Sequence, residues 1–275
     1  MDTHTSDRLM SLGRVFFATG LIAWGVQHLA SGDFVTRVVP YWPAGMPARA
    51  LGVYLVGAAL IAAGTAILLH LKARAAALGF SALALLSLVF LHVPVAASGP
   101  LWGGAWTSAG KALVMCGGAL CIAVSLAETE REPRAGPLAS ARARDGFVMF
   151  GRVCLGLFMM LAGIQHFLFA GFVATLVPPW IPGGLFWTYF AGVALIAGGA
   201  GLTLPYVNRL AAILSGAMIF SWVFLVHIPL VLKDPHSTND VAAVFEALAF
   251  SGVAFLLAGL AARRGAGRPA LPAYR

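Results

Sequence analysis

A chain of 275 residues that is 60 per cent apolar and only 10 per cent charged, with a mean hydropathy of +0.88, lies far from the composition of soluble domains, about a quarter of whose residues are charged. That balance excludes a soluble enzyme domain and makes the lipid bilayer the first partner. The net charge of +8 does not mark a nucleic-acid binder, because the basic residues stand at the ends of apolar runs, as topology signals do.

Crossing a bilayer takes about 20 apolar residues, and eight stretches qualify: roughly 12–31, 50–70, 76–96, 107–127, 147–170, 186–204, 208–232 and 241–262. The first follows Arg8 as the apolar part of a signal peptide would. Its twin at 147–170 lies mid-chain, so both read as spanning helices.

The first helix closes on Gly25-Val26-Gln27-His28-Leu29 and leads into Val39-Pro40-Tyr41-Trp42-Pro43-Ala44-Gly45. Proline stops regular helix there, and an indole such as Trp42 suits the headgroup region. Two readings of this segment stand: an interfacial anchor, or a lid over a cavity. The second helix carries small residues (Gly57, Ala63, Gly64) that permit close helix approach in lipid. The third is expected to end at His92-Val93-Pro94, and the fourth begins near Lys111.

After a polar linker at 128–146 the plan repeats. Gly163-Ile164-Gln165-His166-Phe167 and Val177-Pro178-Pro179-Trp180-Ile181-Pro182-Gly183 match the first copy at an offset of 138 residues, His28 falling on His166 and Trp42 on Trp180. Three residues are then lost. At an offset of 135, His92 falls on His227, Gly117 on Gly252 and Lys111 on Glu246. Such self-similarity is an internal duplication: residues 1–127 and 147–275 are two units of four helices, and an even number per unit makes the repeats parallel.

Lys and Arg counts set the orientation. Arg8, Arg14, Lys72, Arg74, Arg131, Arg134, Arg142, Arg144, Arg152, Arg209, Arg263, Arg264, Arg268 and Arg275 share one side, fourteen of the eighteen basic residues, against Arg37, Arg49, Lys111 and Lys233 on the other. By the positive-inside rule both termini are cytoplasmic, and the four helix-end histidines face outward.

Ionisable groups in spanning segments point to function and call for a named partner. His28 with His92, and His166 with His227, are the pairs to test, with Gln27 and Gln165 as donors to a ligand or as plain interhelical bonds. A histidine donating to a nearby carbonyl is the structural alternative. His166, His227 and Glu246 form a possible set of metal ligands, two imidazoles with one carboxylate, whereas Lys111 at the matching position would repel a cation. Bis-histidine haem ligation and a Lys111–Glu246 ion pair between helices four and eight are the other readings. Cys116, Cys121 and Cys154 lie in apolar runs without CxxC spacing and read as small core residues.

The Gly-x-Gln-His-Phe run, the Val-Pro-Pro-Trp-Ile-Pro loop, the His-x-Pro of the third helix and Phe245-Glu246-Ala247-Leu248-Ala249 together resemble the DoxX-like membrane proteins. The resemblance covers nearly the whole chain as a tandem pair. It implies all-α four-helix membrane bundles and, through the name-giving member, which belongs to a thiosulfate:quinone oxidoreductase, a quinone-linked redox role with a redox partner protein. The expectation is therefore a multi-pass inner-membrane (plasma membrane) protein, a membrane subunit or accessory factor of such a system. Its site would be outer-facing, around Gln165, His166, Trp180, His227 and Glu246. A small-molecule or ion carrier and a non-catalytic scaffold are the alternatives.

Overall fold

The computed structural model describes residues 3–40, 47–129, 136–204 and 208–266, and all regular structure within them is helical. Eight of the helices are long and apolar enough to cross a membrane, which makes the chain a multi-pass membrane protein. They are α1 (Thr3–Ser31), α2 (Arg49–Leu68), α3 (Ala73–Ser98), α4 (Gly104–Thr129), α5 (Ala141–Leu168), α6 (Gly184–Thr203), α7 (Asn208–Lys233) and α8 (Thr238–Ala266). The segment expected to link the halves is shorter than the sequence suggests. Ser140 accepts a hydrogen bond from the Ala143 amide at 3.0 Å and starts α5 there, so six residues of the linker are already helix. Arg131, Arg134, Arg268 and Arg275, four of the charges used for orientation, lie outside the described residues.

Packing follows a ring. Each helix lies against its chain neighbours, and α8 returns to lie against α1. Glycine sets the spacing at the tightest seams, because a side chain on either partner would hold the backbones apart. A Cβ added at Gly25 would stand 2.6 Å from the Gly57 carbonyl, and one at Gly163 2.7 Å from that of Gly192. The α1–α8 seam runs the full length of both helices, from Met10 against Gly259, through Gly13 against Gly252 and Gly20 against Ala249, to Trp24, whose indole donates to the Ala242 carbonyl at 3.1 Å. α4 and α8 are the most enclosed spans and meet across the middle, where Gly118 faces Val253; α2, α3, α6 and α7 are the least enclosed and form the outer rim.

The third span of each half departs from expectation. Neither α3 nor α7 stops at its His-x-Pro. Each opens into one π-turn, Leu88–His92 and Val223–His227, then resumes α-helix to Ser98 and Lys233. Proline in a regular helix lacks its amide and collides with the carbonyl four residues back. Here the Val93 amide reaches Leu88 and the Ile228 amide reaches Val223, each five residues back, which widens the turn ahead of Pro94 and Pro229. Both histidines close such a turn.

Candidate functional site

The four helix-end histidines and the loop at 177–183 share one end of the bundle, and two cavities open there. The first, of about 230 Å³, lies within the first half and includes His92, Lys111 and, from α8, Glu246 in its lining. The second, of about 440 Å³, is bounded by α5, α6 and α7, with His166 and His227 in its walls. Val177, Pro178 and Ile181 of the proline loop wall the second cavity. Val38 and Val39, from the segment after α1, wall the first.

Each histidine has a distinct fate. His28 is fully buried; its Nδ1–H donates to the Trp24 carbonyl at 2.7 Å and its Nε2 accepts from the Val35 amide at 3.4 Å. Its ring pins the loop to the helix and leaves neither nitrogen for a ligand. His166 donates Nδ1–H to the Ala162 carbonyl at 2.7 Å, which leaves its Nε2 as an acceptor. His92 and His227, each at its π-turn, hold a buried Nδ1 with no hydrogen-bond partner.

The glutamines tie the halves together. Gln165 donates to the Trp102 carbonyl at 2.7 Å and accepts from Thr107 at 2.9 Å, holding the start of α4. Gln27 donates to the Thr238 carbonyl at 3.2 Å at the start of α8. Trp180 is 65 per cent exposed and stands outside the second cavity's wall. Trp42 lies outside the described residues.

Glu246 is the centre of a cluster. Its Oε1 accepts from Lys111 at 2.8 Å and from Arg37 at 3.1 Å. Arg37 also donates its Nε–H to the Asn239 carbonyl and side-chain oxygen, each at 2.9 Å. Helices four and eight are adjacent, and the cross-half ion pair read from the repeat's asymmetry is present. The carboxylate therefore faces two cations in the first cavity, while His166 and His227 line the second. Among the described residues no three His, Cys, Asp or Glu side chains are grouped to share a metal ion.

Arg37 was not foreseen as Glu246's second partner. Its signal was available: at the offset of 138 it falls on Thr175, so it too breaks the charge symmetry of the duplication. Nearer the loop surface, Asp33 accepts from Arg49 and from the Phe34 amide; the amide bond first, then the guanidinium, hold its carboxyl below the usual range.

A family described as "Domain of unknown function (DUF8561)" matches residues 155–261, which run from within α5 to within α8 and make the second half similar to that family. No curated protein and no solved structure matches the chain.

Proposed function

We propose that the chain is an inner-membrane protein whose second-half cavity receives the ring of a lipid-soluble quinone, as a membrane subunit or accessory factor of a quinone-linked redox system. The observation that carries this reading is the cavity between His166 and His227. Its volume of about 440 Å³ falls in the ~300–1,000 Å³ range of small-molecule sites, and its walls are apolar and aromatic with few polar groups, as such sites are. A quinone is a flat apolar ring with two acceptor oxygens. Trp187 and Trp222 line the space for the ring, the partnerless Nδ1 of His227 can carry the N–H that donates to one oxygen, and the Nε2 of His166 can accept from the hydroxyl of the reduced quinol.

The reading includes the finer architecture: two parallel DoxX-like four-helix repeats, the histidine end outward and both termini in the cytoplasm. The matched close approaches Gly25–Gly57 and Gly163–Gly192, and the paired π-turns, support the repeat. The excess of Lys and Arg on the other side supports the orientation.

A short-chain benzoquinone titrated into the purified chain in nanodiscs should quench tryptophan fluorescence saturably, because two indoles line the cavity. His227→Phe should weaken the binding about tenfold, a loss of about 1.4 kcal/mol. Quenching that never saturates, or that is indifferent to His227, would remove the proposal. A carrier is the second reading, favoured by the π-turns, since interrupted helices mark transporter sites. Flux in proteoliposomes abolished by His166→Ala would favour it instead.

A further inference from the structure

The first cavity carries chemistry that a neutral quinone ring does not use. Its volume of about 230 Å³ exceeds the ~150 Å³ of an apolar cavity that holds benzene. Most of its lining is apolar, from Val56, Leu60, Phe80 and Met115 among others. Into this lining project Arg37, Lys111 and Glu246, two cations against one carboxylate, with side chains only 20, 17 and 12 per cent exposed. One positive charge is left over.

A further polar group in this lining has no partner: the buried Ser87 Oγ. A buried polar atom without a hydrogen bond costs about 1–3 kcal/mol. Such an atom and a surplus cation in the lining of one apolar cavity are what a bound anion would satisfy. The equivalents of Arg37, Ser87 and Lys111 in the second half are Thr175, Trp222 and Glu246, so the feature belongs to the first half alone. Ala59 and Leu83, which are exposed on the outside of the bundle, also line the cavity between α2 and α3 and give an apolar tail a way out.

We propose that this cavity binds an amphiphile with an anionic head, a carboxylate or phosphate on an apolar chain. The head lies against Lys111 and Arg37, the Ser87 hydroxyl donates to one of its oxygens, and the chain leaves between α2 and α3. The site is separate from the quinone cavity and does not rest on it.

The test is calorimetric titration of the full chain in nanodiscs of zwitterionic lipid, corrected against empty discs, with octanoate, octyl phosphate, octanol and inorganic phosphate as probes. Octanoate or octyl phosphate should saturate one site about tenfold more tightly than octanol, the equivalent of about 1.4 kcal/mol. The stronger of the two identifies the head as fatty carboxylate or lipid phosphate. Lys111→Gln should weaken that binding about tenfold, and Glu246→Gln, which raises the surplus charge, should tighten it. Should either charge variant elute unfolded, Ser87→Val fills the cavity without altering charge and should abolish octanoate binding. Equal affinity for octanoate and octanol, unchanged affinity in Lys111→Gln or Ser87→Val, or saturation by inorganic phosphate alone would overturn the proposal.

Discussion

At the scale of single residues, the Arg37–Glu246–Lys111 cluster separates two kinds of charge removal. Glu246→Ala leaves two buried cations unpaired, and breaking a buried pair in that way costs about 3–5 kcal/mol. Lys111→Met leaves a neutral Arg37–Glu246 pair behind and should cost clearly less. Thermal unfolding of the two variants in one detergent decides the order, and equal midpoints would mean that the cluster contributes little. Lys111 and Glu246 were legible in the sequence because the duplication puts opposite charges at one aligned position. Arg37 was not, because it lies in the loop after α1 and reaches α8 across the join between halves, and no local spacing encodes such a contact. The same limit hid the role of His28: nothing in Gln27-His28-Leu29 says that its ring would bond two backbone groups while His92 kept a nitrogen free.

At the scale of elements, small residues decide which helices touch. Gly163→Val would drive a branched side chain toward the Gly192 carbonyl, at a cost of about 1–3 kcal/mol or more from overpacking. Gly79→Val, where an added Cβ meets nothing within 4 Å, should be tolerated. A lower melting point for the first variant and a native one for the second would bear this out; equal melting points would contradict it. The spans themselves were plain in the sequence, since length and hydropathy determine them and α-helix satisfies every backbone group in lipid. Their ends were less plain. The His-x-Pro runs read as the close of the third helices, yet one widened turn accommodates Pro94 and Pro229 and keeps each helix going to Ser98 and Lys233.

At the scale of the whole molecule, the packing joins the two halves of the sequence. α1 lies along α8 and α4 along α5, so each half is completed by the other. Residues 1–130 and 136–275 expressed apart should each aggregate, and when co-expressed they should co-purify as one species; a stable, monodisperse single half would refute that dependence. Periodicity and repeats could not reveal this exchange, because the seam between first and last helices is written only in the glycines and small residues that meet there, among them Gly13, Gly20, Gly252 and Gly259. That seam has a consequence for biosynthesis. The ribosome releases the first span long before its mate exists, so α1 must wait beside the translocon with its glycine face uncovered until the final span arrives, and a message cut short before codon 238 yields a chain that can never close.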